Sequence, residues 1–147
     1  MIDRKIIEAH LKEVLRGTDV FPVEVRVDRS NRIRVHVDTL KGITLDECAR
    51  INLALEERLD RDLEDFWLEV SSPGLDAPFR VPEQYLKNIG KRVCVQCTDG
   101  KLLTGILKSS GNEGIKLELP AEGKGREARS IDLKFTEIKT TKEYLQF

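Results

Sequence analysis

The residues with the most reactive side chains in this 147-residue chain are three cysteines and two histidines. Cys94 and Cys97 have the Cys-x-x-Cys spacing of many zinc and redox sites, which require both thiols to face one point. Here the pair lies in an alternating strand pattern, and strand positions three apart face opposite ways. There is no second pair of this kind and no histidine nearby in the sequence. We therefore predict packing roles and no metal, and we keep thiol chemistry as an alternative.

Nucleophilic catalysis has few candidate residues. Ser71 and Ser72 are adjacent, but the Gly-x-Ser-x-Gly motif that exposes a nucleophile is absent, and nothing in the sequence places His10 or His36 beside them. A phosphate-binding Gly-x-x-x-x-Gly-Lys-Ser/Thr loop is also absent. The Gly-x-x-Gly at 111–114 joins two predicted strands, which favours a hairpin turn over a nucleic-acid-gripping loop between helices. These observations argue against a serine hydrolase and a P-loop ATPase, and we predict no cofactor.

Basic residues are the main sign of a nucleic-acid partner. Residues 83–147 carry 12 Lys and Arg against 9 Asp and Glu, whereas residues 1–82 carry 13 against 17. Phosphate contacts need such bases on one surface, and a loop can fit itself to a phosphate backbone. The predicted contacts in this half are Lys91, Arg92, Lys124, Arg126 and Arg129.

The acidic half has a different expected partner. Asp60, Asp62, Glu64 and Asp65 stand almost in a row, which would repel RNA phosphates and attract a basic protein. The alternative is an ordinary solvated end of a helix.

The elements that carry these residues divide into two predicted domains, 1–82 and 83–147. In the first, Asp3 caps a helix that ends at Gly17, and alternation over residues 23–37 predicts an antiparallel hairpin. Thr44 and Glu47 form a capping box, which opens a second helix with one apolar stripe. Residues 66–70 follow as a third strand. The order αββαβ predicts a two-layer α+β domain. The stripe of the second helix comprises Leu45, Cys48, Ile51, Asn52, Leu55 and Leu59.

The second domain is predicted to be all strands after a short helix. Pro82 suits the first turn of that helix, which Gly90 ends. Five short strands then follow in about 55 residues, with a tight turn at Asp99-Gly100 and a glycine, Gly105, inside the second strand. This spacing predicts a small β-barrel. No apolar run approaches the roughly 20 residues of a membrane helix, so we expect a cytoplasmic protein without a membrane partner.

Residues 69–79, read as EVSSPGLDAPF, resemble the signature of the ribosome maturation factor family RimP. The similarity continues in residues 34–38, 42–48, 81–83, 89–91 and 131–139. It implies an N-terminal α/β domain followed by a C-terminal Sm-like, SH3-like barrel. It also implies a non-enzymatic assembly factor that binds immature small ribosomal subunits. The implied partners are small-subunit rRNA and a basic ribosomal protein, and we expect a monomer.

The resemblance also implies a contact loop. Pro73 fixes φ and Gly74 permits a positive φ, which would hold the loop rigidly between the domains. The family usually has Arg where this chain has Ala77, and Arg80 is a candidate substitute. A free-standing Sm-like RNA-binding regulator remains the alternative function. The predicted contact loop comprises Ser71, Ser72, Pro73, Gly74, Leu75 and Asp76.

Overall fold

A computed structural model describes residues 1–121 and 127–145 of the chain. The chain divides into two compact units, Met1–Pro73 and Gly74–Phe147. This division precedes the boundary predicted at residue 82, because the segment after Gly74 is tied to the second unit: the amide of Phe79 donates to the carbonyl of Thr141 at 2.7 Å. The functional domains 1–82 and 83–147 stay a prediction.

The first unit has the predicted element order. β1 and β2 form the antiparallel hairpin, and β3 adds to β2 in parallel, with α2 as the crossover that such a pairing requires. Ile33, Val35 and Val37 of β2 are fully buried in a core shared with both helices, so the helices cover one face of the sheet. The elements are α1 Arg4–Leu15, β1 Phe21–Val27, β2 Arg32–Asp38, α2 Leu45–Arg58 and β3 Trp67–Ser71.

Local signals placed the start of both helices correctly. The Asp3 side chain accepts from the amide of Lys5, and both hydrogen bonds of the Thr44–Glu47 capping box are present. The prediction for Leu45 was wrong, since 88% of this residue is exposed. Leu45 is the first residue of α2. Helical periodicity places it on the apolar face of the helix but does not show where along the helix that face becomes buried against the core.

The second unit contains the predicted short helix and five strands. The strands form one antiparallel sheet in the order β7-β6-β5-β4-β8. The elements are α3 Pro82–Lys87, β4 Arg92–Cys97, β5 Leu102–Ser110, β6 Gly114–Leu119, β7 Arg129–Lys134 and β8 Ile138–Glu143, with a 3₁₀ helix at Phe135–Glu137.

The closed barrel was a wrong prediction. Within residues 1–121 and 127–145, β7 and β8 occupy opposite edges of the sheet and do not pair with each other. Closure needs hydrogen bonds between the two end strands. Instead, the 3₁₀ helix carries the chain from β7 to the free edge of β4, where β8 pairs. Strand number and spacing cannot distinguish an open sheet of this kind from a barrel.

No helix in the described part of the chain is long and apolar enough to cross a membrane.

Candidate contact surfaces

The loop after β3 ends in an exposed turn. Ser71 is the last residue of β3, opposite His36, and Ser72 is exposed. The carbonyl of Gly74 accepts from the amide of Ala77 at 2.9 Å, which places Leu75 and Asp76 at the tip. Leu75 is 70% exposed. The tip therefore presents an apolar side chain beside a carboxylate.

The prediction that Gly74 adopts a positive φ was wrong. Positive φ angles occur at other glycines, and Gly74 is not among them. A Cβ built at Gly74 would meet no atom within 4 Å. Glycine is therefore required here neither by backbone conformation nor by space. Whether Pro73 and Gly74 fix the connection between the domains stays a prediction.

Asp76 has a partner in its own unit. Its Oδ1 lies 3.6 Å from Nζ of Lys142 on β8. Both side chains are substantially exposed, and such surface pairs contribute little, about 0–1 kcal/mol. An incoming basic group could replace Lys142 at small cost.

The predicted basic contacts lie partly at one end of the second sheet. Lys91 and Arg92 are exposed where β4 begins, and the Arg92 guanidinium lies 5.3 Å from the centre of the Tyr144 ring. Arg92, Ile106, Glu118 and Ser130 follow one another across the paired strands. Exposed Arg129 is thus at the same end, three strand spacings or about 14 Å from Arg92.

The remaining basic candidates are Arg80, Lys124 and Arg126. Arg80 is exposed before α3, where its amide donates to Oε1 of Gln84 at 2.5 Å. Lys124 and Arg126 lie outside the described residues.

The acidic row lies in the turn between α2 and β3, and half of it is neutralised within the first unit. Glu64 pairs with the N-terminal ammonium at 2.9 Å and accepts from Nδ2 of Asn31 at 2.7 Å. The hydrogen bond from Asn31 is the main reason that the pKa of Glu64 is lowered.

Asp65 is held in the same way. It accepts from the amide of Phe66 at 2.9 Å and from the Arg61 guanidinium at 3.0 Å. The backbone bond comes first among the causes that lower its pKa. Asp60 and Asp62 are the exposed members of the row that form no ion pair with other described residues.

Cys94 and Cys97 point to opposite sides of β4, as expected for strand positions three apart. Cys97 is buried in the second core, whereas Cys94 is on the other side of β4 with its Sγ 3.7 Å from Oγ1 of Thr104. Burial raises the pKa of Cys97 and of Cys48 in α2, which makes both poor nucleophiles. Among the described residues, no cluster of three or more His, Cys, Asp or Glu side chains could hold a metal ion.

One surface was missed by the sequence analysis: the face of the first sheet opposite the helices. Arg32 and Arg34 of β2 both point to this face, and the Arg34 guanidinium lies 5.4 Å from the centre of the Trp67 ring on β3. An open pocket of about 590 Å³ is lined by these residues with Ser30, Asp65 and Phe66. The available signal was arginine at alternate positions of one strand, followed by a strand that begins with tryptophan.

Comparisons with known proteins extend over most of the chain. A family model described as the RimP N-terminal domain matches residues 6–76. Ribosome maturation factor RimP of Porphyromonas gingivalis is 40% identical over 119 residues, which are 81% of this chain and 78% of that protein. Ribosome maturation factor RimP of Christiangramia forsetii is 30% identical over an alignment that covers all of both chains. This chain therefore belongs to the RimP family.

Proposed function

We propose that this protein is a non-enzymatic assembly factor for the small ribosomal subunit, which binds immature particles through rRNA and a basic ribosomal protein. The observation that carries the proposal is family membership. Relatives named ribosome maturation factors align with this chain over 78% to 100% of their own length. The contact surfaces support the two kinds of partner.

The second unit would supply the RNA contacts. Lys91, Arg92 and Arg129 lie at one end of its sheet, and Lys124 and Arg126 belong to the segment just before Arg129. Glu118 adds a negative charge at this end of the sheet, but its carboxylate pairs with Nζ of Lys108 at 3.5 Å. Electrostatic contacts of this kind bind phosphates without reading sequence.

The ribosomal protein would meet the carboxylates and the exposed turn. Asp60 and Asp62 are available to Lys and Arg side chains, and Leu75 offers an apolar contact beside Asp76. Such charges steer a basic partner more than they hold it. Leu75, which would be covered in the complex, is the side chain expected to contribute most affinity.

The test is co-sedimentation of the full-length protein with immature and mature small subunits over a series of salt concentrations. We expect preferential binding to the immature particle. Replacing Lys124, Arg126 and Arg129 together by Ala should weaken binding and reduce the slope of log K against log salt by about 2, near 0.7 per lost contact.

The matched control replaces Lys5 and Lys12, two exposed lysines of α1, and should leave that slope unchanged. Equal binding to both particles, or no binding, would contradict the assembly role. An unchanged slope in the triple variant would show that these three bases touch no phosphate.

A free-standing RNA-binding regulator is the second candidate, and one observation favours it. In the described part of the second sheet, the outer edges of β7 and β8 are unpaired, and such edges can join copies of a chain into a ring. Light scattering at micromolar concentration separates the two functions. A monomer supports the assembly factor, whereas a ring that binds short RNAs supports the regulator.

A further inference from the structure

The outer face of the first sheet combines arginine with tryptophan. Arg32 is the register partner of Trp67, and Arg34 lies two residues further along β2, about 6.7 Å from Arg32 by strand geometry. Trp67 is 45% exposed, although the guanidinium of Arg34 lies near its ring. A large part of an aromatic ring therefore remains open to solvent beside two cations.

Two acidic side chains beside this surface are already engaged, whereas Glu69, the register partner of Arg34, shares the face with the arginines. Asp65, which lines the pocket, is bound by Arg61 and the amide of Phe66. Glu64 is bound by the N-terminal ammonium and Asn31. In residues 1–121 and 127–145, by contrast, neither Arg32 nor Arg34 forms an ion pair. The two arginines are therefore open to an anionic ligand, although the carboxylate of Glu69 shares their face and the unit as a whole is acidic.

This combination suits unpaired nucleic acid best. Single strands are bound by aromatic rings on which bases stack and by cations that follow the phosphate backbone, and every base offers a flat face. A duplex keeps its bases inside the stack and offers Trp67 nothing to stack on. An acidic peptide could satisfy the arginines but would leave the flat ring without a matching planar group.

We propose that Arg32, Arg34 and Trp67 form a binding site for single-stranded RNA, in which an unpaired base stacks on Trp67 and the two arginines bind phosphates. The site deepens the proposed function and rests on it, because it assigns an rRNA contact to the acidic unit.

The test uses the full-length protein and a ten-nucleotide oligouridylate labelled with fluorescein. Trp67 is the only tryptophan of the chain, so its fluorescence reports on this site alone. We expect saturable quenching by the single strand and none by an RNA duplex of the same length. Anisotropy of the label measures affinity for the variants.

Trp67→Leu should weaken binding about tenfold, and Trp67→Phe should retain most of the affinity because it keeps an aromatic face. Replacing Arg32 and Arg34 by Gln should reduce the salt slope by about 1.4, near 0.7 per phosphate. Arg58→Gln, an exposed arginine on α2, is the control and should bind as the wild type does. Circular dichroism of each variant checks that it is folded.

Three results would each overturn the site. One is no quenching at RNA concentrations up to 100 µM, about the weak end of non-specific binding. Another is equal affinity for folded Trp67→Leu and the wild type. A decaglutamate peptide that quenches as strongly as RNA would instead identify a protein-docking surface. Because immature particles are absent from this experiment, its failure leaves the co-sedimentation test of the proposed function intact.

Discussion

Gly105 in β5 is a position where one added methyl group should damage the second unit directly. A Cβ built there would overlap the backbone carbonyl oxygen of Glu118 on β6 and lie 3.1 Å from Cγ of Leu117, which is fully buried. β6 is held on its other side by β7, so it cannot move away freely. Gly105→Ala must therefore separate paired strands or distort them.

The expected change in the free energy of unfolding follows from two opposing effects. Overpacking a well-packed site costs about 1–3 kcal/mol. Replacing glycine by alanine in a strand returns about 0.5–1 kcal/mol, because the unfolded chain loses less entropy on folding. We expect a net loss of about 1–2 kcal/mol in the free energy of unfolding of Gly105→Ala.

Gly111 provides a matched control in the turn between β5 and β6. It has no positive φ, and a Cβ built there would meet nothing within 4 Å. Gly111→Ala should be neutral or stabilise by up to about 1 kcal/mol. Urea unfolding followed by far-UV circular dichroism measures both variants. With a slope of about 1–3 kcal/mol per molar urea, the midpoint of Gly105→Ala should fall by roughly 1 M.

Trp67 fluorescence is not a substitute for this measurement, because Trp67 lies in the first unit. Equal unfolding midpoints for Gly105→Ala and Gly111→Ala would refute the reasoning, since the two sites differ mainly in the space beside them.

Two further predictions concern the cysteines and the turn before β3. In the native protein, we expect a thiol reagent to modify Cys94 rapidly. Cys48 and Cys97 should react only on unfolding, because burial raises the pKa of both thiols. Fast modification of all three would contradict the strand geometry, and loss of particle binding in the folded double variant Cys94→Ser/Cys97→Ser would support thiol chemistry. The pKa of Glu64 is lowered from its ordinary 4.5, so its contribution is present above that pH and is lost as the pH falls through the native pKa. Unfolding at a series of pH values should therefore show a shallower acid-side loss of stability in Glu64→Gln than in the wild type, and identical profiles would count against the Asn31 hydrogen bond.

The parts of the fold that sequence predicted correctly depend on contacts between near neighbours. Asp3 binds an amide two residues on, and the capping box joins Thr44 to Glu47. The Asp99-Gly100 turn is closed by a bond from the amide of Gly100 to the carbonyl of Cys97, with Gly100 at φ +92. In each case the residues that form the hydrogen bonds are within a few positions of each other, so the local sequence is sufficient to predict the cap or turn.

The failures depend on distant residues. Barrel closure requires knowledge of which edges pair, and neither β7 nor β8 carries that information in its alternation. The close approach at Gly105 involves Glu118, which no local pattern connects with it. The pairing of Arg34 with Trp67 likewise depends on the parallel register of β2 and β3, which α2 separates in sequence. Periodicity assigns a residue to a face, and only the assembled sheet shows what lies beside it.

The charge of the first unit shows the same limit and bears on both proposed partners. A count of residues gives a net charge of −4 for residues 1–82, which by itself predicts that RNA would avoid this half of the chain. In the structure, Glu64 and Asp65 are bound by an ammonium and a guanidinium, while Arg32 and Arg34 remain open on the sheet face. Net charge governs long-range steering, but a surface within one Debye length, about 8 Å at physiological ionic strength, is governed by the groups nearest to it. One acidic unit can therefore attract a basic protein at its turn and hold unpaired RNA on its sheet.

The two contacts should respond differently to charge reversal at Arg32. Arg32→Glu should weaken oligouridylate binding and leave binding of a basic ribosomal protein unchanged or stronger. A parallel loss of both would contradict the separation of these surfaces.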